Sequence, residues 1–555
     1  MQKKINLKNE WKKSVEFWNK PRIQEPVIYT ELDKIPEAER DVIAWMVVAQ
    51  RRAYFNMPVL DKKVGRNNFR PVSVHEIGHD TYCPYDLRMC LRLIHEADKI
   101  TCNIDRAKYF ENFFADTLVN TKAVRKGDGA IVDVYKNLSQ GLEGSKFWNV
   151  YMLSCEMLWN IPKGTLAKNT DEVMRVDAGK IEDIIKKAMD ADDKYNAWPK
   201  AMHDYADIIK KYHDEDSKKD KQDSTGSGAP QSQNGNNKKS EQEKNKEKSK
   251  GVIDYHEPKD FAPFDPNAKD SETEKRIEDA VRGVARNMTP EQYKRLMSET
   301  GMTNQNRATT WFYRDLAHQF DVELPPAKAK SGGGQNSNIG VWGIDDPISE
   351  LDLFLSVQRG PLLPEITTLK KLCETNSTSE KGHEGYPDMM LCLDCSSSMP
   401  EPSKYLSMAV LSAMIVAHAA VNHEKKCSVV LFSHQYDVLN YTKNKDTIDE
   451  QLTKYLGGGT LIPAEQIYNL AHSNNNPQHI VIISDTDIFN LDKTQMGYLG
   501  GALHKAGAGG TVFLTNVSYG SSKLFKDAGY NVIKMDDTSR LLDLSRKLSK
   551  RIYGG

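Results

Sequence analysis

The stretch that decides the fold reads MMLCLDCSSSM, residues 389–399. The apolar run from Met389 to Leu393 reads as a strand buried on both faces, and Asp394 ends it. The same texture repeats toward the C-terminus. Short apolar runs at 388–394, 427–433, 436–442, 479–484, 511–517 and 531–534 alternate with amphipathic stretches at 402–422, 446–455, 463–473, 492–506, 521–528 and 538–552. This alternation predicts a parallel, doubly wound (Rossmann-like) α/β domain over 387–555. In such sheets ligands bind outside the carboxyl ends of the strands.

Asp394, Ser396 and Ser398 place a carboxylate and two hydroxyls at such an end. These are hard oxygen donors, suited to Mg2+, Mn2+ or Ca2+. Thr460 follows Gly457, Gly458 and Gly459, and Asp485 closes the strand HIVIISD. The five residues resemble the metal-ion-dependent adhesion site (MIDAS) of von Willebrand factor A (vWA) domains, which has Asp-x-Ser-x-Ser, a loop Thr, and an Asp after the fourth sheet strand. The resemblance covers about 387–553. It departs in the last segment, where family members often read Thr-Asp-Gly and this chain reads Ser484-Asp485-Thr486-Asp487. Asp487 either adds a second carboxylate or starts a turn. The resemblance implies that Asp394, Ser396, Ser398, Thr460 and Asp485 hold a divalent cation, Mg2+ or another, and that a protein partner completes the site with an acidic residue. No nucleophile–base pair is evident in this half, so binding is expected of it rather than catalysis.

Upstream, residues 214–251 are almost free of large apolar side chains and read as a disordered linker, because they cannot bury enough surface to offset the entropy of ordering. Residues 252–386 read as a connector, helical over 271–320 and Gly-rich after it. Residues 1–213 read as an all-α domain, with apolar residues at 3–4 spacing over 38–56, 86–101, 105–124, 145–160, 170–190 and 195–213. The β signal there is confined to a short piece near 129–135.

The N-terminal domain carries SVHEIGHDTYCP, in which His75-Glu76-Ile77-Gly78-His79 is an HExxH motif. On a helix, positions i and i+4 share a face, so His75 and His79 can hold one Zn2+, with Glu76 beside them as the general base. Pro71 and Pro84 bracket a helix of about three turns. Zinc in a catalytic site needs a third protein ligand. Asp116, in FFADTLVNTKAV, is the candidate, ahead of Glu111, Glu96 and His95. HEIGH followed by Ala115-Asp116-x-x-Val119-Asn120 is similar to a zincin-like metallopeptidase domain found ahead of vWA-like domains in bacterial and archaeal proteins. That resemblance covers about 35–160 and implies His75, His79 and Asp116 as ligands, Glu76 as base and Asn120 as a support behind the ligands. The segment Asp80–Asp86, with Pro84, departs from the family's longer motif helix.

The domain order implies a zinc metallopeptidase that selects its protein substrate through a vWA domain. The alternative is a non-catalytic adaptor coupling a MoxR-type AAA+ ATPase to a client, since proteins of this kind are often paired with such ATPases. The chain has no GxxxxGK[ST] of its own. Lys+Arg of 76 against Asp+Glu of 77 gives no global drive toward nucleic acid, and Lys238–Lys250 is interleaved with Glu. Eight cysteines, several of them inside apolar stretches (Cys392, Cys427), a charged start and no run of 18 apolar residues fit a cytoplasmic protein with buried free thiols and no membrane span.

Overall fold

A computed structural model describes residues 5–224, 253, 256–262, 271–319, 351–352, 369–370, 386–484, 488–515, 519–535 and 540–553. The chain divides into two compact units, Met1–Gln319 with Pro400–Leu406, and Phe320–Met399 with Ser407–Gly555.

The first unit is helix-rich but not all-α. It contains α1 (Leu7–Phe17), α2 (Met57–Lys63), α3 (Phe69–Thr81), α4 (Leu87–Thr101), α5 (Ile104–Arg125), α6 (Ile131–Leu138), α7 (Lys146–Leu158), α8 (Glu172–Asp190) and α9 (Lys194–Ser224). It also holds a three-stranded sheet of β1 (Val27–Tyr29), β2 (Ala44–Val47) and β3 (Arg52–Asn56), in the order β1-β3-β2. The sheet corrects the helix expected over 38–56. Val42–Ala49 is a continuous apolar run that satisfies helical and strand periods alike. Arg51 turns the chain with φ 50, and the rings of Trp45 and Tyr54 then stack across the strand pair at 5.2 Å. The short β piece expected near 129–135 is also corrected, since Ile131–Leu138 is helical, with Ile131, Val134, Tyr135 and Leu138 forming its buried stripe.

Domain boundaries shift as well. α9 runs on to Ser224, past the boundary expected at 213, while 225–250 lie outside the described residues. The helices Ser271–Ala280, Pro290–Glu299 and Gln305–Gln319 form as expected but belong to the first unit rather than to a separate connector. Arg295 pairs with Asp98 of α4, and the Ile253 carbonyl accepts from Ile43 and Ala44 at 3.2 and 3.4 Å, which ties these segments back to the N-terminal domain.

In the second unit, β6 (Asp388–Asp394), β7 (Cys427–Phe432), β8 (Tyr436–Thr442), β9 (Gln478–Ser484), β10 (Gly507–Thr515) and β11 (Asn531–Met535) form one sheet in the order β11-β10-β9-β6-β7-β8. All neighbours are parallel except the β7–β8 pair. Met390, Cys392, Val430, Ile480, Ile482 and Val512 pack with the helices Ala464–Ser473 and Lys493–Ala506 on one face. The alternating residues Met389, Leu391 and Leu393 point to the other face, where the buried helix Met408–Asn422 packs on β6. The chain leaves β6 toward β7 on one side and returns to β9 on the other. The carboxyl ends of β6 and β9 therefore form the topological switch point. Among the described residues, no helix is long and apolar enough to cross a membrane. The described cysteines are all free thiols, and Cys102 is exposed while the others are buried.

Candidate metal centres

α3 starts with Pro71 in its first turn, where a missing N–H breaks no intrahelical bond. It carries His75 and His79 one turn apart on one face. At Gly78 a Cβ would stand 2.3 Å from Val119 Cγ1 on α5 and 3.1 Å from Trp18 Cζ2. A hydrogen at this position is what lets α3 and α5 approach so closely, and the approach brings Asp116 to the two histidines.

His75 Nε2 and His79 Nε2 are 3.2 Å apart, and Asp116 Oδ1 lies 3.6 Å from the first and 3.4 Å from the second. A tetrahedral ion with bonds of about 2.1 Å has ligand–ligand edges of about 3.4 Å, so these three atoms match one face of such a tetrahedron. His75 Nδ1 is 2.8 Å from Asn120 Oδ1, and His79 Nδ1 is 2.9 Å from the Cys83 carbonyl oxygen. With acceptors there, each Nδ1 keeps its proton and each Nε2 presents a lone pair to the centre. Asn120 Nδ2 donates to Tyr135 Oη at 3.0 Å, and Tyr135 Oη donates to Asp116 Oδ2 at 3.4 Å. A single network thus orients His75 and Asp116 together.

Glu76 is fully buried, and the three cluster residues are at most 1 % exposed. Glu111, a runner-up for the third position, is also buried on α5 and with Asp116 adds to the burial that holds the Cys83 thiol well above its usual range. Buried carboxylates are costly unless a cation neutralises them, so the donor set suits a dication. The other runners-up lie elsewhere. His95 and Glu96 line a cleft of about 560 Å³ with Arg92, Tyr195, His203 and Arg286.

His256 was not legible as part of this region. Its ring centroid is 4.0 Å from that of His79, and its backbone N–H donates to Asn112 Oδ1 at 3.0 Å. It is a lone histidine beyond the Lys-rich stretch, with no spacing that links it to HExxH.

At the switch point of the second unit, Asp394 Oδ1 accepts from Ser396 N at 2.9 Å and Asp394 Oδ2 accepts from Ser484 Oγ at 2.6 Å. Ser396 Oγ and Ser398 Oγ are 3.0 Å apart. Burial pushes the Asp394 carboxyl up from its usual range, against the bonds from Ser484 and Ser396. The Gly-rich loop docks here: Ser397 N donates to the Gly458 carbonyl at 2.8 Å, and Gly458 N donates to Ser397 Oγ at 2.7 Å. Gly458 has φ +87, and a Cβ on it would stand 1.9 Å from His434 Nδ1. Thr460 is buried in this loop, and its carbonyl accepts from Phe489 N at 3.0 Å. Asp485, with Thr486 and Asp487, lies outside the described residues. Ser484, the partner of Asp394, was missed because a serine ending a strand carries no spacing signal.

No family model matches the sequence, and no curated protein matches it. Among solved structures, the chain is similar to an aerotolerance-related membrane protein from Bacteroides fragilis NCTC 9343 carrying multiple mutations to serines, at 14% identity and a TM-score of 0.23, over 30% of this chain and 99% of that one. The class of the C-terminal half rests on its own sheet: an α/β domain with six strands, five of them in parallel order.

Proposed function

We propose that the chain is a zinc-dependent peptidase whose C-terminal unit is a vWA domain that binds a divalent cation and, through it, an acidic residue of a protein partner or substrate. The observation that carries the first half is the triangle of 3.2, 3.4 and 3.6 Å formed by His75 Nε2, His79 Nε2 and Asp116 Oδ1. When bound, zinc would supply Lewis acidity toward a carbonyl oxygen and toward water. His75, His79 and Asp116 would hold it, and Asn120 and Tyr135 would fix the His75 ring and the Asp116 carboxylate. Glu76 would take a proton from the attacking water and pass it to the leaving amine.

In the second unit, Asp394, Ser396 and Ser398, with Thr460 and Asp485, would hold Mg2+ or a similar cation. Its place at the switch point between β6 and β9 supports a ligand-binding role there. The rival reading, a non-catalytic adaptor for a MoxR-type AAA+ ATPase, draws on the complete burial of Glu76 and His79. Metal analysis of the purified protein and of His75→Ala separates the readings when combined with proteolysis by Glu76→Gln. One zinc per chain, lost in His75→Ala, with hydrolysis abolished in Glu76→Gln, is expected of the peptidase. Zinc retained with no Glu76-dependent hydrolysis would leave the adaptor.

A further inference from the structure

If the cluster is a peptidase centre, something must account for its closure. Glu76 and His79 are 0 % exposed and His75 is 1 % exposed. Part of the cover over the centre comes from the far side of the Lys-rich stretch. His256 lays its ring on His79 at 4.0 Å with an interplanar angle of 65°. Phe261 backs the His256 ring at 5.5 Å, and Ile253, Phe261 and Ala262 are buried. The turn Pro258–Phe261 packs on α4 and β2, capped by Glu257 and Asp260.

The route of this segment matters as much as its burial. β2 is an edge strand of the sheet β1-β3-β2. The amides of Ile43 and Ala44, at the start of β2, both donate to the Ile253 carbonyl. A sheet edge beside a catalytic helix is where an extended peptide docks by main-chain hydrogen bonds. Ile253 takes such a bond at the start of β2, and His256 then reaches the metal cluster.

We propose that Ile253 and residues 256–262 are a built-in pseudo-substrate, an autoinhibitory strap that takes the place of a peptide at the start of β2 and closes the centre at His79. This rests on the peptidase reading above. Among the described contacts, the strap is held by a capped turn, a backbone hydrogen bond to Asn112, the bonds from Ile43 and Ala44 to Ile253, and the burial of Ile253, His256, Phe261 and Ala262.

The test uses the full chain with His256→Gly/Phe261→Ser, and Phe261→Ala alone in case the double variant does not fold. The metal-free proteins are treated with diethyl pyrocarbonate, and carbethoxylation of His75 and His79 is followed by peptide mass spectrometry. Release of the strap is expected to speed labelling of both histidines about ten-fold, the response of a locally opened site. Cleavage of casein by the zinc-loaded variant is expected to rise by a similar factor, to vanish with Glu76→Gln, and to be inhibited by a synthetic peptide of residues 253–262 added in trans. Equal labelling rates in wild type and both variants would overturn the strap. Faster labelling without Glu76-dependent cleavage would overturn the peptidase reading and the pseudo-substrate role with it.

Discussion

Gly78→Ala is the most informative single change in the first unit, because its sign opposes the ordinary rule. Alanine inside a helix is normally favoured over glycine by about 1 kcal/mol. Here the added methyl would sit 2.3 Å from Val119 Cγ1. Carbon–carbon contacts are comfortable at about 3.5–4.0 Å, so α3 and α5 must part by more than about 1 Å unless Val119 turns. Valine in a helix has one strongly preferred χ1, so it turns at a cost. Overpacking of this kind costs about 1–3 kcal/mol. The larger effect falls on the metal. Asp116 rides on α5 and the histidines on α3, and a metal site tolerates ligand displacements of about 0.2 Å. Gly78→Ala is therefore expected to lose zinc affinity by at least about ten-fold in a competition titration with a chromogenic chelator. Val119→Ala removes the clashing methyl, so the double variant is expected to recover most of that loss, a coupling that only neighbouring sites show. Wild-type zinc affinity in Gly78→Ala would refute the claim that this close approach builds the centre.

Asn120→Ala removes the acceptor on His75 Nδ1 and the donor to Tyr135, and is expected to weaken zinc binding about 10–100-fold by the same titration while the helix stays intact by circular dichroism. His95 is held neutral by burial, helped by the nearby Lys99 and Arg295 charges, with its pKa lowered from 6.5 to about 3. The unfolded chain takes up this proton below about pH 6.5 while the fold does not, so the contribution is present above that pH and is lost as the pH falls toward 3. Between pH 7 and 5 the wild type is expected to lose about 2 kcal/mol more than His95→Gln in urea unfolding. Gly458→Ala meets both a left-handed φ of +87 and the His434 ring, and is expected to destabilise the second unit by about 1–3 kcal/mol in thermal unfolding, with His434→Ala recovering only the steric part.

The second unit was legible because its strands are short apolar runs closed by glycine and polar turns. Asp388–Asp394, Tyr436–Thr442 and Ala464–Ser473 stand within a residue of where the pattern put them. The shared face of His75 and His79 on α3 was legible too, since i, i+4 spacing fixes it, whereas the approach of Asp116 on α5 is set by the fold. What failed was the reading of 38–56, where eight apolar residues in a row, Val42–Ala49, erase the period that separates a helix from a strand. Equally illegible were contacts between elements remote in sequence: Gly78 against Val119, Ser484 on Asp394, and His256 on His79. Such contacts depend on the fold, not on local spacing.

The order in which the cover is made has its own consequence. α3 and α5, which carry the whole donor set, leave the ribosome before His256 exists. Translation must add 140 residues (256 − 116) between Asp116 and His256. At about 5–20 residues per second that is a delay of roughly 7–28 seconds. During that interval the nascent chain offers its donors to the surrounding metal pool without the strap. If the cluster holds an ion, its identity would be set by what the chain meets during synthesis, and later exchange would have to wait for the proposed strap to open.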